Sequence, residues 1–338
     1  MTIRVAINGL GRIGRCLVRG IFEEPKYNNI ELAAVNGPAP VETHMHLLKY
    51  DSIHGKFSKK VEAKNNNLAI DGKEVALFGE RDPLNLPWKD LNIDVVLECT
   101  GIFTKLEDAK KHVNAGAKKV VISAPSKSNN VKTIVYGVND QNLNKDDVVI
   151  SIGSCTTNCL APIAKILNDT IGIEKGFMTT IHSYTNDQNV VDNSHKDLRR
   201  ARACAMSMIP TSTGAAKAIG LVLPELKGKL DGGAIRVPTA NVSMVDLNFI
   251  SKRNTTAEEV NELITKAVKS NKTSEILEIV SDPRVSIDFN HSIYSSCFDL
   301  TQTKVIEGNM VKVCSWYDNE WGFSMRMLDI TNLINKLG

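Results

Sequence analysis

No apolar run in this sequence approaches the ~18 to 20 residues that a helix needs to cross a bilayer. Met1-Thr2-Ile3-Arg4-Val5 passes straight into a strand pattern with no signal-peptide core. The expected location is therefore the cytoplasm, with no membrane partner. Charge of either sign is also lacking in excess: 41 Lys and Arg against 38 Asp and Glu leave a formal +3. That is too little for a protein dedicated to nucleic acid, whose basic residues dominate a face, so any anion site must be local.

A disulfide framework is missing too. The seven cysteines, Cys16, Cys99, Cys155, Cys159, Cys204, Cys297 and Cys314, are odd in number and scattered, unlike the dense even pattern of a small secreted domain. No Cys-x-x-Cys pair exists and no histidine stands at zinc-like spacing to one, so no metal site is expected and one thiol is left to act as a nucleophile. No internal repeat or low-complexity linker breaks the chain.

What is present is an ordinary globular composition, 42% hydrophobic and 23% charged over 338 residues, enough for about two domains at roughly 150 residues each. The first half alternates short apolar runs with helical stretches, as a doubly wound parallel sheet does. Strands are expected at 3–7, 31–36, 94–98, 119–123, 133–136 and 148–151, and a helix from Gly11 to Glu23. The polar stretch from Lys56 to Lys73, ending in Asp71-Gly72, reads as an exposed hairpin inserted there.

After Ser151 the pattern changes. A helix over Thr156–Asp169 leads to a strand over 177–182, then a polar stretch runs from Ser183 to Met208. Half-buried strands follow at 234–237, 243–250 and 310–317, with helices at 256–270 and 325–336. The fold class expected is α/β, a Rossmann-like doubly wound parallel sheet domain plus an α+β catalytic domain with a mixed sheet. The boundaries are 1–153 for the dinucleotide-binding domain, 154–318 for the catalytic domain, and 319–338 for a C-terminal helix packing back on the first.

Gly9-Leu10-Gly11-Arg12-Ile13-Gly14 follows the first strand and opens the first helix. The glycines permit a tight turn, close approach of backbone to a pyrophosphate and close packing of helix on sheet, and the helix start supplies N–H groups and partial positive charge. A dinucleotide cofactor is the expectation. The acidic residue that should close the second strand and bond the adenosine ribose is absent from Asn36-Gly37-Pro38.

Ser151-Ile152-Gly153-Ser154-Cys155-Thr156-Thr157-Asn158-Cys159 places Cys155 in a helix's first turn, where dipole and N–H groups favour a thiolate. At pH 7 a thiol of pKa ~8.5 is about 3% ionised and one shifted to ~6 about 90%, roughly a thirtyfold gain in nucleophile. About 14 helical residues span roughly 21 Å and about seven strand residues roughly 23 Å, so a helix away and a strand back return His182 to the level of Cys155. On spacing alone, a packed thiol and a strand-end histidine stay open as alternatives. Cys159, one turn on, reads as a packed neighbour.

The glycine motif, Tyr50-Asp51-Ser52-Ile53-His54-Gly55, Ser154-Cys155-Thr156-Thr157-Asn158-Cys159, His182-Ser183-Tyr184-Thr185, His195-Lys196-Asp197-Leu198-Arg199-Arg200, Pro210-Thr211-Ser212-Thr213-Gly214-Ala215-Ala216-Lys217, Arg236-Val237-Pro238-Thr239 and Trp316-Tyr317-Asp318-Asn319-Glu320-Trp321-Gly322 together resemble phosphorylating glyceraldehyde-3-phosphate dehydrogenases along essentially the whole chain. Ile152-Gly153 departs from the family's usual Asn-Ala.

The resemblance implies an NAD(P)-dependent oxidoreductase of glycolysis and gluconeogenesis. It would reversibly convert glyceraldehyde 3-phosphate and inorganic phosphate to 1,3-bisphosphoglycerate, as a homotetramer with no dedicated nucleic-acid partner. It implies Cys155 as nucleophile and His182 as base and acid. Arg236 and Thr185 fall in the substrate-phosphate site, and Ser154, Thr156, Thr213, Gly214 and Arg200 in the site for inorganic phosphate. One or two of Arg199, Arg200 and Arg202 read equally well as a solvated basic face.

Cofactor contacts fall on Gly9, Gly11, Arg12, Ile13, Gly14, Gly37, Arg81, Ser123, Asn193, Ser194 and Asn319. Gly37 stands where NAD-specific relatives carry Asp, and Asn193-Ser194 where they carry Leu-Pro, so dual use of NAD and NADP or preference for NADP is expected, and Gly37→Asp should shift preference toward NAD by roughly tenfold or more. The neighbouring readings are an erythrose-4-phosphate dehydrogenase, whose pattern lacks the run from Ser183 to Gln188, and a non-catalytic nucleic-acid-binding or redox-sensing protein.

Overall fold

The computed structural model describes residues 2–269 and 273–338 and divides the chain into two compact units. The first comprises 1–136, 140–153 and 324–338, the second 137–139 and 154–323. Among the described residues no helix is long and apolar enough to cross a membrane.

The first unit is built on a nine-stranded sheet in the order Lys132–Thr133, Val149–Ser151, Lys119–Ile122, Val95–Glu98, Ile3–Asn8, Ile30–Asn36, Lys73–Phe78, Asn67–Ile70, Val61–Lys64. Its first seven strands are mutually parallel. Ile3–Asn8 lies at the centre and is buried at nearly every position, which is why it reads as an unbroken apolar run and not an alternating one.

Two expectations change here. The segment 133–136 pairs only through Lys132–Thr133, although Ile134 and Val135 are buried. The stretch 56–73 is no separate insertion. Val61–Lys64 and Asn67–Ile70 pair across Asn65 and Asn66, both left-handed at φ 50° and 61°, the backbone of a two-residue hairpin turn. The Asp71-Gly72 turn then leads into Lys73–Phe78, which joins the main sheet beside Ile30–Asn36. Val61, Leu68 and Ile70 are buried, so the hairpin extends the core.

The second unit carries a seven-stranded mixed sheet: Ile209–Ser212, Leu230–Val237, Ile173–Ser183, Ser243–Ser251, Met310–Tyr317, Ser296–Ile306, Leu277–Val280. Ser243–Ser251 alternates buried and half-buried without a break, the signature of a sheet with one face on a core. That face is covered by helices Cys155–Thr170, Ala215–Val222 and Ala257–Val268. Ile173–Ser183 runs parallel to Leu230–Val237, in a register that sets His182 opposite Arg236.

Helix Trp321–Leu337 ends the chain, and its residues from Ser324 on belong to the first unit. Asp329 ties them there: its carboxylate takes the Tyr27 hydroxyl at 3.1 Å and Lys26 at 2.8 Å.

The parallel strand ends that carry Gly9 and Gly37 are tied below the surface by a chain of polar groups. Asn36 Nδ2 donates to Asn8 Oδ1 at 2.7 Å, Asn8 Nδ2 to Glu98 Oε2 at 2.6 Å, and Trp88 Nε1 to His112 Nδ1 at 3.0 Å. The indole N–H can only donate, so His112 Nδ1 accepts and its ring proton sits on Nε2, 3.0 Å from Glu98 Oε2. Glu98, which also takes the Thr100 N–H at 2.7 Å, is thereby a buried carboxylate with a donor on each oxygen. His112→Phe keeps the volume but strands the indole N–H and removes one donor from the carboxylate. Denaturant unfolding should register a loss of about 2–4 kcal/mol, and a change below about 0.5 kcal/mol would mean that the network is not dry.

Candidate active site

The turn Gly9–Gly14 has the geometry that its glycines suggest. Gly9 is left-handed at φ +99°, and a Cβ at Gly14 would fall 2.0 Å from the Gly9 carbonyl oxygen, so the helix start can press against the turn only without a side chain there. At Gly11, the residue before helix Arg12–Glu23, a Cβ would meet nothing within 4 Å and no side chain caps the helix. Open space in front of an uncapped helix start suits a pyrophosphate, so this end fits a dinucleotide.

The side chains around it behave differently from the backbone. Arg12 is committed to Asp51, with Nη1 2.5 Å from Oδ2 and Nη2 3.0 Å from Oδ1. Together with the N–H groups of Ile53 and His54, it holds the Asp51 carboxyl well below the usual range against the effect of burial. The Arg12 guanidinium is thus spent on a carboxylate, and the backbone N–H groups at Arg12 and Ile13 are what the helix start offers a pyrophosphate. Ser123 lies beside the end of the strand ending at Glu98, whose carbonyl takes its N–H at 3.0 Å. Asn36 exchanges two hydrogen bonds with the backbone of Glu80 and so sets the exposed Arg81 next to the second strand's end.

In the second unit Cys155 is the first residue of helix Cys155–Thr170, and the Ser154 hydroxyl caps that helix by accepting from Thr157 N at 3.0 Å. The departure Ile152-Gly153 has a clear local role: Gly153 is left-handed at φ +71°, a conformation glycine adopts without strain. His182, at the end of its strand, is buried and brings Nε2 to 3.5 Å from Cys155 Sγ. Its Nδ1 lies 2.8 Å from the Ser183 carbonyl oxygen, which can only accept, and 2.6 Å from Arg236 Nη1, which can only donate and also reaches that carbonyl at 2.9 Å. The two contacts call for opposite tautomers, and the one protonated on Nδ1 turns an Nε2 lone pair to the thiol.

Desolvation works against the thiolate that the helix start favours. Burial holds His182 well below the ordinary histidine range, at about 3, and Arg236 acts in the same direction. Desolvation pushes the Cys155 thiol up, against the pull of Arg236 and of the N–H and hydroxyl of Thr156. Both shifts favour the neutral forms of the pair.

Residues 3–106 match the family described as glyceraldehyde 3-phosphate dehydrogenase, NAD binding domain, and residues 154–319 its C-terminal domain. The chain belongs to the glyceraldehyde-3-phosphate dehydrogenase family. It is 55% identical over 338 residues to the glyceraldehyde-3-phosphate dehydrogenase of Xanthobacter flavus, covering 100% of both chains. It is 53% identical over 339 residues to that of Geobacillus stearothermophilus, again over 100% of both. Membership makes the chain an NAD-binding oxidoreductase and sets the erythrose-4-phosphate and non-catalytic readings aside.

Against that family pattern, several expected anion contacts already have partners. Arg200 pairs with Asp187 and, at 3.3 Å, with Asp197, and its Nε donates to Thr211 Oγ1 at 2.8 Å. An arriving phosphate must displace carboxylates there. Thr156 turns its hydroxyl to Tyr317 Oη at 2.8 Å and is buried, so its side chain supports the helix start and is not presented to a phosphate. Thr185 takes Gln188 Oε1 on its N–H at 3.0 Å. Thr213 Oγ1 accepts from Ala215 N at 3.2 Å, and Gly214 opens helix Ala215–Val222 with empty space in front of it. Arg236 keeps a buried Nε with no partner, a donor in reserve. Asn193 and Ser194 lie exposed in the long polar loop.

Three supporting residues were not foreseen from the sequence. Ser183 and Ser243 both donate to Asn319 Oδ1 at 2.9 Å, fixing the amide so that its NH₂ is the group left to donate. Val242, directly before Ser243, sits at φ +68°, which a β-branched residue adopts only under strain. Tyr317 joins the hydroxyls of Thr156 and Thr180, at 2.8 Å each, beneath the His182 ring. Only the run from Trp316 to Asn319 hinted at it.

A histidine that stays neutral in the native state but charges when unfolded makes stability fall with acid below about pH 6.5, its unfolded pKa, down to the native value of about 3. His182→Gln removes that linkage. Unfolding of both proteins at about pH 7 and about pH 5 should show wild type losing about 2 kcal/mol more than the variant on acidification. An equal loss in both would mean that protons reach His182 in the native state.

Proposed function

We propose that this chain is a phosphorylating glyceraldehyde-3-phosphate dehydrogenase whose nucleophile is Cys155 and whose base is His182. It acts reversibly on glyceraldehyde 3-phosphate and inorganic phosphate, in the cytoplasm and as a homotetramer. The observation that carries the reading is the Cys155–His182 pair at 3.5 Å, set at a helix start with Arg236 against the imidazole.

Cys155 Sγ attacks the aldehyde carbon while His182 Nε2 takes the thiol proton, giving a hemithioacetal. The helix start and the imidazolium N–H stabilise the developing oxyanion. A nicotinamide cofactor, when bound, supplies the hydride acceptor. Asn319, through the NH₂ that Ser183 and Ser243 leave to it, suits a carboxamide oxygen. The resulting thioester on Cys155 is opened by inorganic phosphate, with His182 returning its proton to the sulfur. Arg236 and Thr185 would hold the substrate's phosphate, and Ser154, Thr213, Gly214 and Arg200 the incoming one, since guanidinium, hydroxyl and backbone donors suit phosphate oxygens. A phosphate on Arg236 cancels the charge that opposes an imidazolium at His182, so substrate binding itself strengthens the base.

The cofactor proposed is NADP at least comparably with NAD. The support is that no carboxylate at position 37 repels a 2′-phosphate and that Asn193 and Ser194 can donate to one. Steady-state assays with each cofactor, followed by absorbance of the reduced nicotinamide, test both proposals. Cys155→Ser should lose nearly all turnover, because a hydroxyl stays un-ionised at neutral pH and forms no thioester. Substantial residual activity there, or iodoacetamide labelling of another cysteine with loss of activity, would refute the nucleophile. A wild type that favours NAD by more than about a hundredfold in kcat/KM would refute the NADP reading.

A further inference from the structure

Gly37 closes the second strand, yet its backbone does not call for glycine. It is absent from the residues with positive φ, so any L residue could adopt the same conformation. What forbids a side chain is a neighbour. A Cβ built at Gly37 would fall 2.8 Å from both Cε1 and Nε2 of His44, closer than real Cβ contacts come. His44 stands in helix Val41–Lys49, which follows the strand, and its ring is buried.

The ring is held there at a cost. Nε2 donates to the Gly37 carbonyl oxygen at 3.3 Å, which leaves Nδ1 as an acceptor, and Nδ1 is buried with no partner. An apolar side chain would avoid that orphan. Burial, with Arg15 nearby, keeps the imidazole neutral, so the ring brings bulk to this spot and not charge.

We propose that His44 controls what position 37 can hold and thereby whether a carboxylate can be set at the ribose 2′ position: its ring occupies the room that a side chain at 37 would need. This rests on the reading that Gly37 faces the adenosine ribose. It makes 37 and 44 a coupled pair, and it replaces the expectation that Gly37→Asp alone shifts preference toward NAD by roughly tenfold, because the new side chain would first have to expel a buried imidazole. His44 is a positioning residue in this scheme and touches no reacting atom.

Wild type, Gly37→Asp, His44→Ala and the double variant decide the matter by two readouts, melting temperature without cofactor and kcat/KM for NAD and NADP. Gly37→Asp in the wild-type background should lower the melting temperature by about 4 °C or more, as overpacking does, and depress kcat/KM for both cofactors. The same substitution on His44→Ala should cost less than half as much and shift the NAD/NADP ratio of kcat/KM toward NAD by about tenfold or more. His44→Ala alone should move that ratio by less than about threefold, since position 37 still bears no carboxylate.

Equal melting costs in the two backgrounds would overturn the steric coupling. A double variant with an unchanged ratio would overturn the role in selectivity. A shift in His44→Ala as large as in the double would mean that the imidazole itself meets the cofactor, which also overturns the proposal. If wild type strongly favours NAD, the NADP reading fails, while the comparison between backgrounds still judges the coupling.

Discussion

Desolvation of a thiol and an imidazole held 3.5 Å apart is the constraint on which the second unit turns. Water would let Cys155 ionise and His182 protonate at their ordinary values; enclosure drives both toward their neutral forms. A neutral imidazole with its proton on Nδ1 offers a lone pair at Nε2, which is what the proposed reaction asks of it. The parallel register of His182 with Arg236 then places a permanent cation where it opposes the imidazolium. Sheet register, helix capping by Ser154 and the left-handed Gly153 all serve to hold that pair in place.

The first unit meets a different demand, a binding surface made of backbone. Its candidate recognition elements are an uncapped helix start behind the open Gly11 and the crowded Gly9, Gly14 and Gly37, and backbone is only as well placed as the strands beneath it. Glu98 is the device that places them. It is a buried carboxylate that would be prohibitively costly alone, and it is tolerable because Asn8, His112 and Thr100 each give it a donor. The side chains of Asn8 and Asn36, one residue before Gly9 and Gly37, tie the two glycine-bearing turns to this hub and to each other.

What the sequence made legible follows from what short-range rules encode. Gly9–Gly14 between a strand and a helix, and the helix-and-strand arithmetic that returned His182 to Cys155, depend on spacing along one or two adjacent elements. Ser243–Ser251 was readable because its alternation is unbroken. The strand Ser296–Ile306 was not, because SCFDLTQTKVI carries several polar residues that its partners in the sheet outweigh. The desolvation of Cys155 was not readable for a related reason: a helix start was visible and the enclosure by distant strands was not.

The same distinction explains the arginines. A sequence names a guanidinium near an anion site but cannot say what holds it before an anion arrives, and a partly buried cation must be held by something. Arg12 rests on Asp51 and Arg200 on Asp187 and Asp197, carboxylates supplied by segments 39, 13 and 3 residues away in the chain. Such pairs add little net stability, but they fix orientation and set a threshold: only a ligand that offers more than one carboxylate does, in charge or in number of oxygens, can take the guanidinium over. A phosphate dianion, with more charge and more oxygens than one carboxylate, is the kind of ligand that passes such a threshold at a guanidinium paired like that of Arg200. Arg12, held in bidentate fashion by the almost fully buried Asp51, sets a higher one and acts as a brace for the turn Gly9–Gly14.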